Sequence, residues 1–149
     1  MAVQRENSDV IRHVLRTLVN ISGRKTTEGH AVSIMDSLIK ELEEEYDFLK
    51  HVEIRDTRFL EDDYSVSVMS DVDFISPDEV GKAIHDIIIS MNKTLGKNAG
   101  HFLIKELSRN IGDSYRSIME DMGIDLGLMQ LEHEVTELEN RIMNKQKTD

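Results

Sequence analysis

The chain has 149 residues, a formal net charge of -11 and no cysteine. Its length fits one domain with one hydrophobic core, and the lack of cysteine excludes disulfide frameworks, thiolate metal sites and cysteine nucleophiles. The acidic balance opposes attraction to a phosphate backbone, so we expect nucleic acid to be an unlikely partner. Because no apolar run reaches membrane-spanning length and the N-terminus lacks a signal-peptide pattern, we expect no membrane association and a cytoplasmic location.

The first third of the chain carries two helical patterns. Apolar residues recur at helical spacing over residues 10–19, which predicts a helix that Ser8 caps and Gly23 ends. A second apolar stripe predicts a helix over about residues 27–49, with several glutamates crowding its last turns. We interpret those glutamates as a solvated face.

The segment between these helices, NISGRKTTEGHA at residues 20–31, contains Gly-Arg-Lys-Thr, which is like the end of a phosphate-binding loop. Such a loop needs a preceding strand, an earlier glycine, and a lysine directly after the second glycine. Here a helix precedes the segment, Leu18 stands in the place of the earlier glycine, and Arg24 separates Gly23 from Lys25. We therefore reject a nucleotide site and interpret the segment as a joint between two helices.

The joint leaves a weaker binding hypothesis. A helix end at Gly23 and an N-cap at Thr26 or Thr27 explain the glycine and the threonines without a ligand. Arg24 and Lys25 are candidate anion contacts, since helix N-termini attract negative groups. The alternative, which we favour, is that these cations pair with acids of the protein itself or stay solvated.

From Lys50 onward, apolar residues recur at every second position. Val52 and Ile54 alternate with polar residues, and the segment 64–72 does the same after an acidic turn at 61–63. This pattern predicts a two-stranded antiparallel hairpin. Because a lone hairpin is only marginally stable, its apolar face must pack on the helices.

The hairpin region is strongly acidic. Residues 61–79 contain seven acidic residues and neither lysine nor arginine, so a basic partner is a candidate for this surface. His51, Glu53, Asp71 and Asp73 would share a polar face, but their uncertain register favours a solvated surface over a metal site. We predict no metal, cofactor or catalytic site.

The second half of the chain is predicted to be helical. Residues 76–79, Ser-Pro-Asp-Glu, combine an N-cap, a first-turn proline and a capping-box glutamate, and the central core helix that begins there is expected to end near Gly96. Asn98 is expected to cap a further helix that Gly112 breaks, and a short helix should end before Gly123. We predict an α+β, mostly helical fold, with a compact domain over residues 1–123 and a C-terminal amphipathic helix with a frayed end over residues 124–149.

This C-terminal segment has a heptad pattern. Its apolar residues recur at spacings of 4, 3, 4, 3 and 4, which is typical of a coiled-coil seam and narrower than the stripe of a helix packed on its own domain. We predict that the seam binds a partner helix, in a homodimer or in another helical protein, while docking on its own domain remains the alternative. The predicted association interface consists of Ile124, Leu128, Leu131, Val135, Leu138 and Ile142.

The charges beside the seam bear on the orientation of a partner. In the heptad, Glu132 and Glu139 fall at position e, and Glu134 and Arg141 fall at position g. Parallel self-pairing sets Glu134 against Glu139 of the second copy. Antiparallel pairing brings Glu134 to Arg141, although it leaves Glu132 facing Glu139. Antiparallel self-pairing, or pairing with a more basic helix, is therefore favoured.

The leading functional hypothesis is a small non-enzymatic interaction or regulatory module that self-associates or binds a partner helix. One alternative is a small-molecule sensor with a pocket between the hairpin and the helix over residues 80–91. A winged-helix DNA-binding arrangement is disfavoured, because acidic residues at 41–45 and 61–63 would face phosphate. No nucleophile-elbow motif is present, which lowers the expectation of an enzyme without excluding one.

Overall fold

The structure is a computed structural model that describes residues 6–54, 66–100 and 103–147; the side chains of residues 25, 28, 96–100 and 144–147 are not described. Within these ranges it confirms the predicted mostly helical α+β fold. The helices are α1 (Asn7–Lys25), α2 (Glu28–Leu42), α3 (Pro77–Gly100), α4 (Leu103–Asn110), α5 (Asp113–Asp121) and α6 (Leu126–Lys147). The strands are β1 (Val52–Ile54) and β2 (Val66–Val68), and short 3-10 helices lie at Asp47–His51 and Ser70–Phe74.

The start of α1 is fixed by a side chain from a distant element. The predicted N-cap at Ser8 is wrong, because α1 begins at Asn7 and its N-cap, Glu6, makes no side-chain hydrogen bond. Instead, the Ser8 amide donates to Asp73 Oδ1 at 2.8 Å and its hydroxyl donates to Asp73 Oδ2 at 3.2 Å. Asp73 thus places a carboxylate at the positive end of the α1 dipole and joins α1 to the 3-10 helix over Ser70–Phe74.

The joint between α1 and α2 differs in detail from the prediction. Gly23 does not end α1, which stays hydrogen-bonded through Lys25 until Thr26 donates its amide to Ser22 O at 2.9 Å. Thr27 is confirmed as the N-cap of α2, because its hydroxyl accepts the His30 amide at 3.1 Å. The predicted end of α2 near residue 49 is wrong, because α2 ends at Leu42 and the chain then turns and buries Phe48 and Leu49 through a 3-10 helix.

The predicted antiparallel hairpin is confirmed, and its apolar face is buried as expected. Val52 pairs with Val68 and Ile54 pairs with Val66, and all four side chains are buried, on a sheet face that packs against α1 and α2. Val72 lies beyond the strand, in the 3-10 helix, and is completely buried. The turn predicted at 61–63 lies outside the described residues.

Helices α1 and α3 form the centre of the core. α1 packs against α2, α3, α4 and β2, and α3, the predicted central core helix, buries Val80, Ala83, Ile84, Ile87, Ile88 and Met91. The Ser76 hydroxyl accepts the Glu79 amide at 3.3 Å, as expected of the N-cap. α3 runs past Gly96 to Gly100, so the predicted end near Gly96 and the cap at Asn98 are wrong; a single glycine costs only about 1 kcal/mol within a helix.

Two glycines with positive φ divide the C-terminal helices. Gly112 at φ 90° separates α4 from α5, and Gly123 at φ 91° precedes α6, a backbone conformation that glycine adopts without steric cost. The core does not end at residue 123, because Ile124, Leu126 and Met129 are buried in it. None of the described helices combines the length and the apolar character that a membrane span requires.

Candidate functional site

One face of α6 is docked on the body of the protein. Leu126 and Met129 are 2% and 3% exposed, and α6 packs against α4. His133 and Glu137 continue this face, with side chains 20% and 22% exposed. We call these four residues the docked face. They occupy the outer positions b, c and f of the heptad, which a coiled coil does not use for its seam.

A polar contact also attaches the docked face to α3. Asn92, 8% exposed, lies on α3, and its Nδ2 atom is 3.1 Å from Nδ1 of His133. On the other side of the imidazole, His133 Nε2 is 3.5 Å from Oε1 of Glu137, one turn further along α6. Of these two contacts, the one between Asn92 and His133 joins different helices, and it therefore attaches the docked face of α6 to α3.

The apolar seam predicted from the sequence lies on the other side of α6. Its five helical members are about half exposed, at 47–57%. Ile124, by contrast, precedes the helix and is completely buried in the core, so we leave it out of the exposed surface. We call the remaining set the α6 stripe: Leu128, Leu131, Val135, Leu138 and Ile142.

The docked face and the α6 stripe point in nearly opposite directions. With 3.6 residues per turn, their mean directions around the helix axis differ by about 170°. The sequence posed docking on the protein's own domain and binding of another helix as alternatives for the same surface. In the structure, docking on the protein's own domain uses the face of α6 opposite the stripe, and the stripe itself stays exposed.

The C-terminal part of α6 extends beyond the body. From Leu138 to Met143, every side chain is exposed, whereas positions 126, 129, 130, 133 and 137 are buried or partly buried. The charged residues beside the stripe, Glu132, Glu134, Glu139 and Arg141, are also exposed. The stripe and its charged borders are therefore accessible along the helix from Leu128 to Ile142.

A second feature, which no sequence motif indicates, is an open groove of about 550 Å³ beside α3. Tyr46 lies in its wall and donates its hydroxyl to Asp86 Oδ2 at 2.6 Å, while Asp86 Oδ1 is 3.5 Å from His85 Nδ1. Burial, followed by the hydrogen bond to Asp86, raises the pKa of the Tyr46 phenol above its ordinary value. The groove lies between α3, Tyr46 and the turn at Met122 and Gly123, and not against the hairpin where the sequence predicted a pocket.

One wall of this groove depends on a glycine. A Cβ atom at Gly81 of α3 would lie 2.0 Å from the backbone oxygen of Met122. This distance is far shorter than a van der Waals contact, so the two atoms would collide. Glycine at this position therefore lets α3 approach the turn between α5 and α6.

The remaining predicted sites are distributed over the surface. Arg24 is exposed in the last turn of α1, where a cation suits the negative end of the helix dipole, and the side chain of Lys25 is not described. Their role as anion contacts stays a prediction. Among the described residues, no three histidine, aspartate or glutamate side chains are grouped as metal ligands; Asp73 is bound to Ser8 instead.

The acidic segment presents an aromatic side chain. Phe74 is 90% exposed at the end of its 3-10 helix, and Met69 at the start is 57% exposed. Asp71, Asp78 and Glu79 are exposed nearby in sequence. The predicted basic partner for this segment stays a prediction, and its acidic turn at 61–63 lies outside the described residues.

Comparisons of the chain with protein-family models, with curated proteins and with solved structures return no match.

Proposed function

We propose that this protein is a non-enzymatic interaction module that associates with a second copy of itself through the α6 stripe. The observation that supports the proposal is the division of α6 into two faces. One face packs on the protein's own core, and the other carries five half-exposed apolar side chains in a single line. Exposed apolar lines of this kind mark association surfaces in soluble proteins.

The size of the stripe is sufficient for a weak dimer. Full burial of a leucine, valine or isoleucine side chain contributes about 1.5–3 kcal/mol, and each stripe residue still exposes about half of its surface. Roughly 1 kcal/mol per side chain then remains available, or about 10 kcal/mol for both copies. The loss of translational and rotational freedom costs about 4–15 kcal/mol, so we expect association that depends strongly on concentration.

A matched pair of substitutions tests the proposal. Leu138 and Met143 are 57% and 56% exposed, and both lie in the projecting part of α6, but only Leu138 belongs to the stripe. We expect Leu138→Asp to abolish association, because it buries a charge in the seam, and Met143→Asp to leave association close to that of the wild type. Light scattering over a series of protein concentrations measures both effects. The proposal is wrong if the wild-type chain stays monomeric, or if the two variants associate equally well.

A helical protein partner for the stripe is the other occupant named by the sequence prediction. A wild-type chain that remains at 17.1 kDa while its stripe binds a foreign helix would favour that occupant over a second copy. The regulatory role and the cytoplasmic location stay predictions.

The groove beside α3 supports a second candidate function, the binding of a small molecule. Its volume of about 550 Å³ lies within the range of ligand pockets, and Tyr46, His85 and Asp86 converge on it. A thermal-shift screen with a metabolite panel tests this candidate, because a ligand of the folded state raises the melting temperature. A ligand of the groove should lose its effect in His85→Ala, and a panel without any shift counts against the candidate.

A further inference from the structure

We propose that two copies pair their α6 helices antiparallel, in the register that sets Val135 of one copy beside Leu138 of the second copy. This inference rests on the proposed self-association and adds the orientation and register. In this register, Leu131 of one copy lies beside Ile142 of the second copy. Four layers of the seam then contain an apolar residue from each copy, and the two bodies lie towards opposite ends of the helix pair.

The position of the docked face leaves the seam free of steric obstruction in this arrangement. Each body is held on the b, c and f positions of its own α6, near Leu126 and Met129, and these positions point away from the seam. The projecting residues 138–143 touch no part of the body closely enough to be buried. In the antiparallel register, this projecting part runs along the body-bearing half of the second copy's helix, so that four of the five stripe residues face an apolar residue of the other copy.

The net charge of the protein favours an arrangement in which the two bodies lie at opposite ends of the helix pair. Each chain carries a net charge of -11, and parallel pairing would hold two acidic bodies at the same level of the helix pair. With a rise of 1.5 Å per residue, the antiparallel register offsets the docking points of the two bodies, near Leu126 and Met129, by about 20–30 Å along the axis. This offset exceeds the screening length of about 8 Å at physiological ionic strength, so the two bodies repel each other less than they would at the same level.

The charged residues beside the stripe also favour the antiparallel arrangement. In the antiparallel register, Glu134 of each copy lies beside Arg141 of the other, which gives two opposite-charge pairs, while Glu132 and Glu139 form two like-charge pairs. In the parallel arrangement, Glu134 faces Glu139 twice and Arg141 gains no acidic partner. The side chains of these four charged residues are exposed in the structure and are therefore accessible to a second copy.

A charge swap distinguishes the two orientations by the sign of its effect. Antiparallel pairing predicts that Glu134→Arg and Arg141→Glu, made singly, each weaken the dimer by about five- to tenfold, because each turns two attractions into repulsions. The double variant restores the attraction and should return the dissociation constant to the wild-type value. Parallel pairing predicts instead that Glu134→Arg tightens the dimer, because arginine then faces Glu139. Sedimentation equilibrium measures these constants; a tighter Glu134→Arg dimer, or a double variant no better than either single variant, overturns the orientation.

Cysteine cross-linking tests the register. The chain has no cysteine of its own, and Leu131 and Ile142 are 55% and 50% exposed, so substitution at either position should not disturb folding. When Leu131→Cys and Ile142→Cys chains are mixed and oxidised, we expect mixed disulfide-linked dimers in clear excess over dimers of either variant with itself. Mass spectrometry of the linked peptides identifies the products. A Leu131→Cys and Val135→Cys mixture, which reports the antiparallel register one heptad away, is the control and should link less.

The outcomes separate this inference from the function on which it rests. A wild-type chain that is monomeric in light scattering rejects self-association altogether. A wild-type dimer in which Leu131→Cys chains link mainly to each other leaves the proposed function standing and overturns the antiparallel arrangement. A dimer that cross-links best in the control mixture overturns the register.

Discussion

Replacing Met129 by alanine tests whether one face of α6 belongs to the folding core while the opposite face does not. Met129 is 3% exposed, whereas Leu131, two residues further along the same helix, is 55% exposed. Truncation of a buried methionine removes its transfer free energy and leaves a cavity, at a cost of about 2–5 kcal/mol. For a protein of this size, we expect Met129→Ala to lower the melting temperature by roughly 5–15 °C.

Leu131→Ala provides the matched comparison. It removes a similar apolar volume from the exposed face, so the free energy of unfolding of the monomer should change by no more than about 0.5–1 kcal/mol. Urea unfolding followed by circular dichroism measures both variants, in dilute protein so that association does not add to the apparent stability. In concentrated protein, Leu131→Ala should instead weaken the dimer by about thirtyfold, because roughly 1 kcal/mol is lost from each copy. Equal costs for the two variants in dilute protein would refute the assignment of the two faces.

Three further predictions concern the body that carries α6. Gly81→Ala should lower the free energy of unfolding by about 3 kcal/mol in urea titrations, because its Cβ would collide with the Met122 carbonyl; an unchanged midpoint would contradict this contact. Asp73→Ala should cost about 1–2 kcal/mol through the lost cap of α1, while the exposed control Asp71→Ala should cost less than about 0.5 kcal/mol. The raised pKa of Tyr46 means that the folded state holds this proton more tightly than the unfolded state. Its contribution to stability is therefore complete below about pH 10 and declines as the pH rises above that value; chemical unfolding of Tyr46→Phe should show a smaller decline, and identical pH profiles would contradict the assignment.

The stripe could be predicted from the sequence because a heptad pattern depends only on the spacing of apolar residues along one helix. The docked face could not be predicted in the same way. It consists of Leu126 and Met129 followed by His133 and Glu137, so its second half has no apolar period. His133 contacts Asn92 of α3, which is 41 residues away in the chain, and no local pattern indicates a contact over that distance.

The ends of α1 and α3 illustrate a similar limit. Ser8 and Gly23 carry local signals for helix ends, yet Asp73 supplies the acceptor for the start of α1 from 65 residues away. Local preferences of about 1 kcal/mol are easily overridden by such tertiary contacts. The strong signal at Ser76-Pro77 succeeded because three independent preferences agree at that position.

The groove beside α3 had no local signal at all. Tyr46 and Asp86 are separated by 40 residues, and neither belongs to a recognisable sequence motif. Their contact arises because the turn after α2 packs against α3, so only the tertiary structure brings them together. The same reasoning applies to Gly81, whose role depends on the position of the Met122 carbonyl.

Methyl-labelled NMR over a series of protein concentrations tests most directly whether the α6 stripe is an interface between two copies. The resonances of Leu131, Val135 and Leu138 report on the stripe, and those of Leu126 report on the docked face of the same helix. If the stripe is this interface, we expect its resonances to shift as the protein concentration rises, while the Leu126 resonances stay in place. Stripe resonances that do not change with concentration, or changes confined to other surfaces, would contradict it.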